Sequence, residues 1–158
     1  MARILVIGAG DTRRGDEGAG VVAAERLRDV APVGIEVIAP GRISPETLAE
    51  LEGVSHVLVL DAIDVGRRPG SIAAFETNSL SPCGSKVISA FGVADLFAAV
   101  GQTSDAPEEA IVLAIQPGAT APFTALSRPV RDAIPEMVQA ALGVLRSWMA
   151  GGPMPLPT

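Results

Sequence analysis

The 158-residue sequence predicts an α/β protein, a single three-layer α/β/α domain around a mostly parallel, twisted sheet of about five strands. Two features predict it. Apolar residues make up 48% of the chain while aromatic ones make up only 3%, so the core must be built from Val, Ile, Leu and Ala. That is the composition of a parallel sheet buried on both faces. Short apolar runs bounded by Gly or Asp also alternate with longer segments of helical period, the pattern of successive βαβ units.

Taken in order, strands are expected at residues 3–8, 34–38, 56–62, 71–76 and 109–115. Helices are expected at 17–30, 45–52 and 93–100, with a last one ending near Trp148. In that last segment Val130, Ile134, Met137, Val138, Ala141, Leu142, Leu145 and Trp148 recur at three and four residues, one apolar helix face. Its Met and Trp read as plain core residues, and Pro135 is expected to start or kink the helix. The domain is expected to span 1–150, and the Gly- and Pro-rich tail 151–158 to be disordered.

Bulk properties exclude several functions. The formal net charge is -6, and no basic cluster exceeds the pairs Arg13-Arg14 and Arg67-Arg68, so there is no electrostatic footprint for nucleic acid. The single Cys83 excludes an internal disulfide and any Cys-based zinc cage. The opening apolar run from Ile4 to Gly8 is too short for a signal peptide or membrane span, and reads as the buried first strand of a cytoplasmic protein.

Chemistry concentrates in two acidic places. Residues 8–18, GAGDTRRGDEG, form a glycine-rich turn from the first strand into the first helix. A dinucleotide fingerprint needs Gly where Arg13 stands. A P-loop needs Lys-Ser/Thr where Asp16-Glu17 stand, and two acids there repel phosphate. The turn therefore suits a cation or a proton. Asp16 is expected to be the helix N-cap, with Glu17 at the first helical position, where the helix dipole favours an ionised carboxylate. The second acid is Asp61, at the carboxyl end of the apolar run Val57-Leu58-Val59-Leu60. In an open parallel sheet ligands bind outside the carboxyl ends of the strands, where Glu17 and Asp61 can converge. Asp64 reads as part of a turn with Gly66, Pro69 and Gly70.

These residues resemble the endopeptidases that trim the C-terminus of the [NiFe]-hydrogenase large subunit after nickel insertion. The resemblance rests on Gly8, Gly10 and Asp16-Glu17-Gly18, on Leu60-Asp61-Ala62, on Gly92-Val93-Ala94-Asp95-Leu96 and on Ile115-Gln116-Pro117, in that order. It implies a protease with no permanently bound metal, whose Glu17 and Asp61 engage the nickel of a large-subunit precursor and act catalytically. It further implies substrate contacts at Asp16, Gly41 and Ser89. The family's third ligand is a His before the Gly-x-x-Asp element, and Ser89 stands in its place. The chain's one histidine, His56, precedes Asp61 by five strand positions, roughly 16 Å at about 3.3 Å per residue, and reads as a solvated strand-edge residue. Pro40-Gly41-Arg42-Ile43 replaces the family's Asp-Gly-Gly-Thr. The resemblance thus carries two readings: a maturation endopeptidase, or a non-catalytic assembly factor that binds the large subunit.

Overall fold

A computed structural model describes residues 3–76 and 107–151. Five strands, β1 (Ile4–Ala9), β2 (Glu36–Gly41), β3 (His56–Ala62), β4 (Ile72–Glu76) and β5 (Glu109–Ile115), form one sheet in the order β2-β1-β3-β5-β4. All neighbours pair in parallel except β4, which runs antiparallel to β5 with Ala73 opposite Ala114. The expected strands are all present, β3 and β5 with the boundaries read from sequence; β2 begins and ends later than expected, at Glu36 and Gly41.

The helices are α1 (Ala19–Val30), α2 (Pro45–Glu50) and α3 (Arg128–Ala150). The period-two alternation of the strands sorts the core into two layers. Val6, Leu58, Leu60, Ile111, Leu113 and Ile115 face one side, where Ala23 and Leu27 of α1 and Ile134, Met137, Ala141 and Leu145 of α3 cover them. Leu5, Ile7, Val57, Val59 and Val112 face the other, with Leu51 and Val54 from the turn that follows α2. Each fully buried Leu or Ile contributes about 1.5–3 kcal/mol. The first helix lies so close to the sheet that a methyl group on Gly20 would run into the carbonyl oxygens of Ala9 and Leu60. That seating places the start of α1 over the ends of β1 and β3.

Pro135 neither starts nor ends α3, which begins seven residues earlier with Pro129 in its first turn, where a missing N–H costs nothing. The helix closes on Gly151 in the left-handed conformation. Near that end Trp148 is more than a core residue: its indole N–H donates to Glu109 Oε2 at 2.6 Å, and its ring packs on His56 at 5.1 Å between centroids. His56 is therefore half-buried against Trp148 and hydrogen-bonded through Nδ1 to Ser55 Oγ at 2.8 Å, rather than simply solvated. Trp148→Phe, which keeps the ring contact and removes the indole donor, is expected to cost about 1–2 kcal/mol in urea unfolding. The expected helix at 93–100, Cys83 and the tail from residue 152 lie outside the described residues. Among the described residues no helix is long and apolar enough to cross a membrane.

Candidate active site

Strand order determines where a site can form. From β1 the chain passes to β2 on one side and then crosses to β3 on the other, so the crevice between β1 and β3 is the point where the winding reverses. Connections leave that point in opposite directions, and the carboxyl ends of both strands are where such a topology favours a site. Glu17 follows the end of β1, and Asp61 is the penultimate residue of β3.

Gly10 is the hub of this crevice. Its φ of 132° lies where side chains are strained, and its N–H donates to the Gly41 carbonyl at 2.8 Å, tying β1 to the end of β2. A Cβ at Gly10 would overlap the Glu17 carbonyl and come within 3.7 Å of Asp61 Oδ1. The Glu17 backbone and the Asp61 carboxylate thus flank the same glycine. Asp61 is 1% exposed, and its Oδ1 accepts the Ala62 N–H at 2.8 Å. The Glu17 side chain is 20% exposed and pairs with Arg14 Nε at 3.3 Å. Glu17 lies in a single 3-10 turn, Gly15–Gly18, that precedes α1, so the first regular α-helical residue is Ala19 rather than Glu17.

Asp16 departs most from expectation. It is not an N-cap: the residue before the 3-10 turn is Arg14, the one before α1 is Gly18, and neither end has a side-chain cap. Asp16 is 0% exposed and points away from the helix start. Its Oδ2 accepts the N–H groups of Gly118 and Ala119, both at 2.8 Å, and the Ser127 hydroxyl at 2.7 Å, while Oδ1 accepts the Ser127 N–H at 2.6 Å. The substrate contact expected of Asp16 gives way to a clasp that holds both ends of the 118–127 loop. Burial alone would push this carboxyl up, but the bonds from Ala119, Ser127 and Gly118 outweigh it and hold the group below the usual aspartate range.

Gln116 plays a similar part at the end of β5. Its Oε1 accepts the Val65 and Arg67 N–H groups at 2.8 and 3.2 Å, and its Nε2 donates to Asp64 Oδ1 at 3.1 Å. It thereby fixes the loop after β3, in which Asp64 also receives the Gly66 N–H at 3.0 Å. Sequence reading noticed Gln116 only within Ile115-Gln116-Pro117; its partners lie about fifty positions away and leave no local signal. Ser89 lies outside the described residues. Among the described residues no group of three or more His, Cys, Asp or Glu side chains is placed to hold a metal ion.

The family model described as hydrogenase maturation protease (HycI) matches residues 21–144. The chain belongs to the hydrogenase maturation protease family. The family is one of endopeptidases, and this member is a hydrogenase maturation endopeptidase. It is 28% identical over 155 residues to the hydrogenase 2 maturation protease of Escherichia coli K12, covering 91% of each chain. It is 29% identical over 152 residues to the hydrogenase expression/formation protein HupD of Rhizobium leguminosarum, covering 92% of this chain and 75% of that protein. The solved structure of the hydrogenase maturating endopeptidase HybD from E. coli superposes with a TM-score of 0.83 at 26% identity, covering 92% of this chain and 93% of that one. The α/β fold and mostly parallel five-stranded sheet are those of this maturation endopeptidase.

Proposed function

We propose that this endopeptidase removes the C-terminal extension of a nickel-loaded [NiFe]-hydrogenase large-subunit precursor, and that Glu17 and Asp61 read the nickel. The observation that supports the reading is that the Glu17 backbone and the Asp61 carboxylate flank the same residue, Gly10, at the carboxyl ends of β1 and β3. The nickel belongs to the substrate. Two carboxylates are acceptable donors to a first-row divalent ion, and the ion's charge polarises a carbonyl or lowers the pKa of a bound water. Hydrolysis then adds water across the scissile amide: oxygen joins the carbonyl carbon, the C–N bond breaks, and the released amine takes a proton. An enzyme that must find nickel before it can align the bond cuts only precursors that are already loaded. Gly41, at the end of β2 and bonded to Gly10, borders the crevice as a substrate contact, and Ser89 is a further substrate contact in the same proposal. The precursor is the protein partner, and the site of action is the cytoplasm.

The test incubates the chain with nickel-loaded and nickel-free precursor and follows the mass of the large subunit. Loss of the extension from the loaded form alone is the expected result. Binding without any mass loss would replace the proteolytic reading with that of an assembly factor.

A further inference from the structure

The loop that Asp16 clasps carries an exposed aromatic ring. Phe123 is 89% exposed in a chain with only four Phe and one Trp. Its φ of 59° makes it the one non-glycine residue with positive φ among the described residues. A bulky side chain in that region is a strained outlier, and strain of this kind persists where the surroundings impose it and clusters at functional sites. Here the surroundings do impose it. The Phe123 N–H donates to the Arg13 carbonyl at 2.6 Å, and the Thr124 hydroxyl donates to the Ala121 carbonyl at 2.7 Å. The Asp16 N–H also donates to the Ala119 carbonyl at 2.8 Å, while the Asp16 carboxylate holds Gly118, Ala119 and Ser127. Strain and hydrogen bonds together hold an apolar ring in water, on a loop fastened to the residue that immediately precedes Glu17.

We propose that Phe123 is a docking contact of this endopeptidase, packing against an apolar surface of the protein substrate beside the segment that is cut. The proposal rests on the reading above that the chain acts on a protein precursor. The occupant is a protein because the ring stands out on a loop, where a small ligand would leave most of it in water and an extended surface would cover it. Arg13, bonded to Asp11 and largely exposed, lies next to it. An exposed aromatic ring is the kind of anchor that dominates its neighbourhood in an interface energetically. The backbone bond from Phe123 to Arg13 and the Arg14–Glu17 ion pair tie the ring's loop to the acidic turn, so a precursor seated on Phe123 has its nearby tail led toward the acids.

The test titrates nickel-loaded precursor with wild type and with Phe123→Ala, reading affinity and cleavage separately. Phe123→Ala is expected to bind about 30-fold more weakly, with the cleavage rate at saturating precursor unchanged. Phe123→Gly is expected to bind as weakly while melting at a higher temperature than wild type, because glycine adopts positive φ without strain. Equal affinity for wild type and Phe123→Ala overturns the docking role. A lower melting temperature for Phe123→Gly overturns it too, since the ring would then serve the fold. A wild-type dimer that Phe123→Ala dissolves assigns the ring to a second copy of the chain and likewise overturns it. Failure of wild type to cut overturns the proteolytic reading instead, and the affinity arm still decides the role of Phe123.

Discussion

Glu17→Gln and Asp61→Asn are each expected to lower cleavage of nickel-loaded precursor by at least about a hundredfold, the scale on which one positioned electrostatic contact contributes. Both changes keep the side chain's shape and remove its charge, so they test charge and not bulk. The folds should respond differently. Glu17 makes one partly exposed ion pair with Arg14, and pairs of that kind contribute at most about 1 kcal/mol, so Glu17→Gln should melt close to wild type. Asp61 is buried and accepts the Ala62 N–H, a bond that an amide oxygen keeps, and thermal unfolding of Asp61→Asn reports what the lost charge costs the fold. Mass analysis of the precursor after timed incubation checks the rate, and thermal unfolding checks the fold. Retained cleavage by either folded variant would remove that acid from the chemistry.

Asp16→Asn is expected to be the most destabilising single-atom exchange in the site, costing about 3–5 kcal/mol. Four donors converge on two oxygens, from the N–H groups of Gly118, Ala119 and Ser127 and from the Ser127 hydroxyl. An asparagine replaces one of those oxygens with an NH2 group that faces a donor, and each bond to a charged acceptor is worth about 1.5–3 kcal/mol. For a chain of this length the loss corresponds to a drop in Tm of about 10 °C. The pH dependence follows from the lowered pKa of Asp16. A carboxyl held below its unfolded value contributes stability that is fully present above the unfolded pKa, near 3.9, and is lost as pH falls through the folded value. Wild type and Asp16→Asn should therefore differ by their full margin at pH 7 and converge in acid. A constant gap down the acid limb would show that the clasp does not depend on the charge.

How far the sequence foretold the molecule depended on how local each signal was. The run from Val57 into Asp61 is a strand that ends in an acid, and both its boundaries and the location of the acid were legible in eight residues. The stripe from Val130 to Trp148 was legible for the same reason, although Pro135 misled because a proline seven residues inside a helix looks locally like a start. The role of Asp16 was not legible. Asp before Glu at the head of a helix is the ordinary signature of a cap, and the partners that make it a clasp lie 102 to 111 positions along the chain. The switch point was equally hidden, since a local pattern predicts strands but not that β1 lies between β2 and β3. Phe123 carried no signal either: an isolated aromatic among Ala, Pro and Thr has no period, and only its backbone conformation and exposure distinguish it.

The reach of the Asp16 bonds also sets the order in which the enzyme becomes competent. During synthesis the acidic turn emerges near the beginning of the chain, while Gly118, Ala119 and Ser127 leave the ribosome more than a hundred residues later, just ahead of α3. Contacts of such separation close late, because the loop between them must be ordered before they give any return. The interval is also when an unfinished chain is most exposed to wrong partners. A nascent chain therefore holds Glu17 on a turn without its Asp16 clasp until residues 118–127 have emerged and docked.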